Sequence, residues 1–265
     1  RMTPDPRLPQ DRLPPPAPRL FLATSCFQGL PLDEAVTELC GLLDAAGLGR
    51  GEAGIQLCPG NPPTGFAGAL EGRPFRKHHT FDPMKRVGLG WHVSGAGVLD
   101  FGPLADGDFS LRTIHPPFRR EGSIHEAISC IGASDNGRVG LELPMYLDYC
   151  GASFVECLEV FESQVPIAVD VSHLNIAVQE WKSSEVTEFL DRAEGAAVSG
   201  RLLEIHVSAN NGRSDQHRPI TNDDFGIAWA KRVSREYDVP LVLECYMHRL
   251  THQERVQQVR SVLVP

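Results

Sequence analysis

Histidine and carboxylate side chains recur near the ends of short apolar runs in this 265-residue sequence. Imidazole nitrogens and carboxylate oxygens are common protein ligands of divalent transition metals. One ion uses about four to six ligands, so a shared carboxylate such as Glu142 would let two or three ions occupy a larger cluster. The candidate metal ligands are His92, His115, Glu142, Asp170, His173, His206, Asp215, His217 and Glu244.

Two local spacings strengthen this interpretation. Asp170 and His173 lie three residues apart where an apolar run ends, so one turn of chain can present both to neighbouring ions. Asp215 and His217 are separated by one residue in a loop rich in Gly and Asn, and they point to the same side if that loop is extended. The alternatives are structural, because an Asp-x-x-His pair often caps a helix and a single strand-end histidine often only hydrogen-bonds its surroundings.

The remaining histidines fall in predicted helices or in loops away from predicted strand ends. We expect them to be solvated surface residues, with His79 and His248 as alternative substrate contacts. The other members of this group are His78, His125 and His252.

Repeated strand and helix units must position the cluster. From Arg19 onward, apolar or β-branched runs alternate with amphipathic stretches, as expected for helices around a parallel sheet. In a closed parallel barrel the carboxyl ends of all strands open at one face, so residues distant in sequence converge there. The predicted strands are Leu20 to Ser25, Gly54 to Cys58, Val87 to His92, Ser110 to His115, Val139 to Leu143, Ile167 to Val171, Leu202 to Val207 and Pro240 to Glu244.

Apolar residues at three- or four-residue spacing predict helices at Pro31 to Ala46, Ser123 to Ile131, Ser153 to Ser163, Ser183 to Ala197, Asp223 to Glu236 and Thr251 to Leu263. Gly and Pro are frequent between Gly60 and Arg86 and between Ser94 and Phe109, where no long helix is visible. The sequence therefore predicts an α/β fold, a (β/α)8 TIM barrel trimmed at its second and third helices. This single catalytic domain would span residues 19–265, after a proline-rich tail at residues 1–18.

Composition narrows the class of protein. Hydrophobic residues make up 42% and charged residues 22%, as in ordinary globular chains. A formal net charge of −9 argues against a surface that binds nucleic acid, although bound cations would reduce that charge. No apolar run reaches the roughly 18 residues of a membrane span. The 7 cysteines lack C-x-x-C spacing and follow no signal peptide, so we expect core thiols in a reduced cytoplasm.

In its order along the chain, the ligand series resembles the trinuclear metal site of the xylose isomerase and endonuclease IV-like barrels. The segments Glu204-Ile-His-Val-Ser, Asp215-Gln-His217-Arg-Pro-Ile and Leu243-Glu-Cys-Tyr are most similar to the multinuclear non-heme iron-dependent oxidases that modify peptide natural products. That resemblance implies two or three irons, an oxygen-dependent change to a residue of a precursor peptide, and a partner or recognition protein.

The same resemblance implies a division of the ligands, with Glu142 bridging two irons. His92 and His115 would complete one ion, Asp170, His206 and Glu244 would hold the second, and His173, Asp215 and His217 would hold a third. Zinc or manganese would accept the same ligands.

Two other branches of the superfamily stay open. Sugar isomerases of this fold use one metal held by residues like Glu142, Asp170, His206 and Glu244, and there Glu142 and Glu244 would be catalytic and move the proton. A zinc phosphodiesterase like endonuclease IV would use the whole cluster, but the Gly-Glu-Gly turn typical of those enzymes does not follow His217. A barrel that binds metal without turnover is the non-enzymatic alternative.

Overall fold

Eight parallel strands close into a barrel in the computed structural model, which describes residues 18–79, 91–93, 99–100, 111–134 and 138–263. The predicted proline-rich tail lies outside the described residues, apart from Pro18. Around the barrel the strand order is β1-β10-β9-β8-β7-β6-β3-β2, and β4 and β5 pair with each other in a separate antiparallel sheet. The strands are β1 (Leu20–Ala23), β2 (Ala53–Leu57), β3 (Phe75–His78), β4 (His92–Val93), β5 (Leu99–Asp100), β6 (Arg112–Ile114), β7 (Val139–Leu143), β8 (Ile167–Asp170), β9 (Leu202–Val207) and β10 (Leu241–Leu243).

Helices cover the outside of the barrel. Ser153 shows how one begins, because its side chain accepts a hydrogen bond from the Glu156 amide while the Glu156 side chain reaches back to the Ser153 amide. The first helix ends at Gly47, whose left-handed backbone (φ 86°) suits a residue without a Cβ. The helices are α1 (Leu32–Ala46), α2 (Ile124–Ser134), α3 (Phe154–Ser163), α4 (Val171–Ala177), α5 (Ser183–Val198), α6 (Ile227–Tyr237) and α7 (His252–Leu263).

The predicted (β/α)8 barrel is confirmed, and seven of its eight predicted strands overlap strands of the closed sheet. The third was wrong. The barrel uses Phe75–His78 at that position, whereas His92 belongs to the separate two-stranded sheet and residues 87–90 lie outside the described part. The sequence Phe-Arg-Lys-His lacks the apolar pattern of a barrel strand. Its charged Arg76 is accommodated by an ion pair with distant Glu204 and by packing of its guanidinium on the Phe21 ring.

Helix prediction was accurate except at two places. No α-helix joins β2 to β3, as expected for the trimmed second unit; the loop expected to replace the third helix lies largely outside the described residues. The short helix α4 was missed, and α6 begins at Ile227, four residues after the expected start at Asp223. Helix α4 follows β8 without a loop, and its first residue, Val171, had been assigned to the predicted strand.

Alternation along the strands separates an outer apolar layer from the residues that fill the barrel interior. Leu20 and Leu22 join the large core between strands and helices, while Phe21 packs in a separate small cluster with Val242. Close packing between strands requires Gly54, since a Cβ there would lie 2.3 Å from the Pro74 carbonyl oxygen. Among the described helices, none has the length and apolar character that a membrane crossing demands.

Candidate metal centre

The carboxyl ends of the barrel strands bring the histidines and carboxylates together. His78 is in register with Thr113, and Asp170 is in register with His206 on the next strand. Because side chains two residues apart on a strand share a face, Glu204 and His206 both point into the barrel. The barrel geometry thus places two polar layers along its axis. Glu204 lies in the lower layer, and His206 lies in the upper layer at the mouth.

Glu142 on β7 lies at the centre of this upper layer and is fully buried. Its Oε1 atom lies 3.2 Å from His115 Nε2 and 3.0 Å from His173 Nδ1. Its Oε2 atom lies 3.0 Å from His206 Nδ1 and 3.5 Å from His78 Nε2. Neither oxygen is in hydrogen-bond geometry with any described group. The two oxygens therefore face two different sets of nitrogen atoms, as a bridging carboxylate does.

A second group of ligand atoms lies beside His173. Its Nε2 atom is 3.6 Å from Asp170 Oδ2 and 3.5 Å from Asp215 Oδ2. His217 Nε2 is 2.9 Å from the same Asp215 oxygen, to which the Tyr146 hydroxyl donates at 3.2 Å. The predicted pairs Asp170/His173 and Asp215/His217 therefore meet on one side of the site.

Asp170 also shapes the local backbone. Its Oδ1 atom accepts hydrogen bonds from the amides of Ser172 (2.6 Å) and His173 (3.0 Å), so it caps α4. Its Oδ2 atom faces the site. The structural alternative for Asp-x-x-His is thus correct for one oxygen, and the other oxygen remains free to bind a metal.

Glu244, which follows β10, also lies at the mouth. Its Oε1 atom lies 3.5 Å from His206 Nδ1, the atom that also faces Glu142. Ligand-capable atoms within 4.8 Å of one another form four overlapping groups in the described residues. They are His78/His79/His115, His78/Glu142/His206, Glu142/Asp170/His173 and Asp170/His206/Glu244.

A buried hydrogen-bond network supports His206 from below. Glu204 Oε1 accepts hydrogen bonds from Gln56 Nε2 (2.6 Å), Thr113 Oγ1 (2.6 Å) and His206 Nε2 (2.8 Å). Its Oε2 atom accepts from Arg76 at 2.9 Å. Because His206 Nε2 donates to Glu204, its Nδ1 atom is the one that faces Glu142 and Glu244 and that, after losing its proton, would bind an ion. This is how outer groups orient a metal-binding imidazole.

The electrostatics of the site call for positive charge. Although burial opposes ionisation, His115 and His206 hold the pKa of Glu142 well below its usual value. Burial likewise opposes the charged form of His206, but Glu244 and Glu142 raise its pKa well above the ordinary value. Burial itself raises the pKa of Glu244 to about 7. The carboxylates therefore draw protons onto their neighbours when no other cation is present.

These residues fit divalent metal ions. Metal–ligand bonds of about 2.0–2.2 Å place the ligands of one ion about 3 Å apart, close to the nitrogen–oxygen separations around Glu142. Buried atoms without a hydrogen-bond partner include both Glu142 oxygens, His173 Nδ1 and His206 Nδ1. Unpartnered buried polar atoms are costly, so such an arrangement indicates ligands directed at an ion. The donor set accepts iron, zinc or manganese and does not select among them.

A cavity of about 150 Å³ opens onto the cluster. Polar groups at its rim include Ser25, Gln28 and Tyr246, and the Tyr246 hydroxyl lies 3.2 Å from the Gln28 side-chain oxygen. Cys58 also lines the cavity, and burial raises the pKa of its thiol, which keeps it protonated. The space admits a small polar substrate beside the ligands.

Eight of the nine predicted ligands come together among the described residues. Strand β4 carries His92 outside the closed barrel, and the side chain of His92 lies outside the described residues. The ligands that meet at the mouth are His115, Glu142, Asp170, His173, His206, Asp215, His217 and Glu244. Their binding of metal stays a prediction.

Two histidines were wrongly expected at the surface. His78 and His79 are only 5% and 3% exposed, and both belong to a potential ligand group with His115. Their burial raises the energy of the charged form and holds their pKa values well below the usual value. The signal was the Lys-His-His sequence, but it follows a strand that apolar patterning did not reveal. His125, His248 and His252 are exposed, as expected.

Comparison with solved structures agrees with the barrel topology. The D-allulose 3-epimerase from Methylomonas sp. in complex with D-allulose is 12% identical, with a TM-score of 0.53 over 93% of this chain and 90% of that chain. A structure of L-ribulose 3-epimerase is 10% identical, with a TM-score of 0.52 over 92% of this chain and 86% of that chain. No protein-family model matches the sequence, and neither does any curated protein.

The protein is therefore a (β/α)8 barrel of the kind found in these sugar epimerases. Within that class it is a barrel whose mouth carries a candidate site for divalent metals. The similarity is too low to transfer an activity, and it gives no support to the expected peptide-modifying iron oxidase.

Proposed function

We propose that the protein is a metal-dependent enzyme that isomerises or epimerises a small hydroxy-ketone sugar. One observation carries the proposal: Glu142 and Glu244 approach the same His206 nitrogen, at 3.0 Å and 3.5 Å, within an epimerase-like barrel. Asp170 joins His206 and Glu244 in one ligand group. Two carboxylates thus lie within reach of one ion and of a substrate bound to it.

Glu142 and Glu244 would each have two roles. A divalent ion held by these carboxylates with Asp170 and His206 would polarise the substrate carbonyl and hydroxyl oxygens. Glu244, a buried residue that lines the cavity, would take the proton from the carbon next to the carbonyl, and Glu142 would return one to the opposite face. Removal from one face and return to the other inverts the configuration, whereas return to the neighbouring carbon isomerises the sugar.

The cavity supports a small, hydroxyl-rich substrate. Its volume of about 150 Å³ suits a short polar molecule, and its rim carries the hydroxyl and amide groups of Ser25, Gln28 and Tyr246. These groups can exchange hydrogen bonds with sugar hydroxyls. Burial of the reacting carboxylates below this rim would limit the access of water to the proton being moved.

The test follows proton exchange and not only product formation. Protein stripped of metal and reloaded with manganese, cobalt, magnesium or zinc would be incubated with ketopentoses and ketohexoses in deuterated water. We expect deuterium to enter the carbon next to the carbonyl, with Glu142→Gln and Glu244→Gln each lowering the rate at least about 100-fold. His125→Asn, on an exposed helix face, is the matched control. Absence of exchange with every sugar and metal would refute the proposal.

A second candidate is the multinuclear iron oxidase acting on a precursor peptide with a partner protein. One observation favours it: His115, His173, Asp215 and His217 add ligands beyond the four residues that a single-metal isomerase needs. Protein reconstituted with ferrous iron without oxygen would then consume oxygen when its peptide is added. Cleavage of abasic DNA by the zinc-loaded protein would instead support the phosphodiesterase.

A further inference from the structure

A groove runs outward from the candidate metal centre, beside the loop that follows β7. Its volume is about 500 Å³, and one of its lining residues is Asp215, which also lines the cavity of about 150 Å³ beside the other metal ligands. Tyr146, whose hydroxyl donates to Asp215 Oδ2 at 3.2 Å, lies at the same end of the groove. A substrate bound at the metal centre can therefore extend past Asp215 into the groove.

Apolar side chains form much of the groove. Met145, Leu147 and Ala152 come from the loop after β7, and Ile176 and Ala177 come from the end of α4. Leu147 is 77% exposed, more than any other large hydrophobic side chain among the described residues. Single exposed apolar residues are common, but apolar surface gathered beside a groove marks a place where a ligand binds.

The exposed side chain of Leu147 is held in place by its loop. Its φ of 57° lies in the left-handed region that residues with a Cβ rarely adopt. Hydrogen bonds fix the chain on both sides of it, because the Met145 amide donates to the Gly151 carbonyl at 3.0 Å and the Arg119 amide donates to the Asp148 carbonyl at 2.8 Å. Backbone strain of this kind persists where a function depends on the position of the residue.

The charges along the groove do not select a charged ligand. Apart from the metal ligand Asp215, the charged lining residues are Glu180 and Arg213, which have opposite signs. A free sugar has hydroxyl groups along its whole length and gains little from contact with an apolar wall. An alkyl, acyl or aryl group gains free energy by leaving water there. The lining therefore fits a neutral apolar group.

We propose that the groove binds a neutral apolar substituent of the substrate, attached to the sugar at the end away from its carbonyl group. The assignment rests on the proposed function, because a ketose at the metal centre fixes where its substituent begins. The reacting carbons occupy the smaller cavity, and the substituent passes Asp215 to reach Leu147. The competing occupant is a second copy of this chain, which would cover the same leucine.

The test compares substrates that differ only in the length of an apolar chain. Calorimetry would measure the binding of 6-O-alkyl fructoses with ethyl, butyl, hexyl and octyl chains to the metal-loaded full-length protein. Leu147→Gly removes the exposed wall and suits the left-handed backbone, whereas Ala152→Phe fills the groove. Val198→Ala is the matched control, because Val198 is 70% exposed and does not line the groove.

We expect the affinity of the native protein to rise by up to about fourfold per methylene, and by at least about tenfold from the ethyl to the octyl sugar. Leu147→Gly should weaken binding of the octyl sugar about tenfold and leave the ethyl sugar unchanged. Ala152→Phe should abolish the gain with chain length, and Val198→Ala should bind as the native protein does. Both groove variants should keep the native metal content and circular dichroism spectrum, which excludes misfolding as the cause.

Deuterium exchange into the same sugars separates this assignment from the proposed function. Chain-dependent binding without exchange would support the groove and refute the isomerase. Exchange with equal affinities for the ethyl and octyl sugars would overturn the groove and leave the isomerase standing. A native dimer that Leu147→Gly converts into monomers, without any gain in affinity from the octyl chain, would assign the groove to a second copy of the chain and would also overturn the proposal.

Discussion

Replacing Glu204 with glutamine would remove a buried negative charge and keep the shape of the side chain. Its Oε1 atom accepts three hydrogen bonds and its Oε2 atom accepts one from Arg76. A glutamine can place its oxygen at only one of these positions. Its amide group would then face either the guanidinium of Arg76 or the three other donors, and no arrangement satisfies both.

The magnitude follows from burial. The side chains of Arg76 and Glu204 are 11% and 1% exposed, so solvent cannot replace the lost partner. Breaking a buried ion pair by removing one partner costs about 3–5 kcal/mol. Because Arg76 keeps its hydrogen bond to the Leu203 carbonyl, we expect a loss of about 3 kcal/mol in the free energy of unfolding. Metal affinity should fall about 10–100-fold, because Glu204 fixes the ring orientation of His206.

Urea unfolding of the metal-free protein measures the first quantity, and competition with a zinc chelator measures the second. Arg76→Met alone and together with Glu204→Gln completes a double-mutant cycle. We expect the double variant to lose less unfolding free energy than the sum of the two single losses, by at least about 1 kcal/mol. The reason is that the double variant has no unpaired guanidinium. A loss below about 1 kcal/mol in Glu204→Gln, with unchanged zinc affinity, would refute this account of the network.

Three further predictions concern packing, helix capping and proton release. Gly54→Ala should lower the free energy of unfolding by about 3 kcal/mol in urea, because the new Cβ would lie 2.3 Å from the Pro74 carbonyl; a loss below about 1 kcal/mol would contradict the packing. Ser153→Ala should cost about 1 kcal/mol in the same assay through loss of the capping box, and an unchanged midpoint would show that the cap is dispensable. Neighbouring carboxylates overcome burial and raise the pKa of His173 and His206, so metal must displace protons there. Metal affinity should therefore rise with pH, by up to about tenfold per pH unit for each proton displaced, as calorimetry in buffers of different ionisation enthalpy would show.

Most of the barrel could be predicted because its strands are buried on both faces. The apolar runs that contain β7 and β9 matched the structure to the residue, since parallel strands covered by helices have nearly continuous apolar sequences. Strand β3 could not be found in this way. It contributes Arg76 to the barrel interior, and the Glu204 that neutralises it lies far away in the sequence. Hydrophobic patterning carries no information about such a pair.

Most of the predicted ligands come together because the strands that carry them were located correctly and their carboxyl ends meet at one mouth. Each ligand that lies in or just after a correctly located strand, such as Glu142 in β7 or His206 in β9, lies at the mouth. His78 and His79 were missed because the strand before them was missed. His79 needed a second piece of information, since its direction depends on a left-handed backbone that sequence patterns for non-glycine residues do not reveal.

One oxygen of Asp170 caps α4 and the other faces the candidate metal centre, which restricts the substitutions that this position can accept. Glutamate or histidine there could still bind an ion, but neither has the short side chain that reaches back to the first amides of α4. Asparagine would keep the helix start and lose the charge. Retuning the metal preference through this residue would therefore disturb the helix that carries His173, so the more adaptable positions are the loop ligands Asp215 and His217, which start no helix.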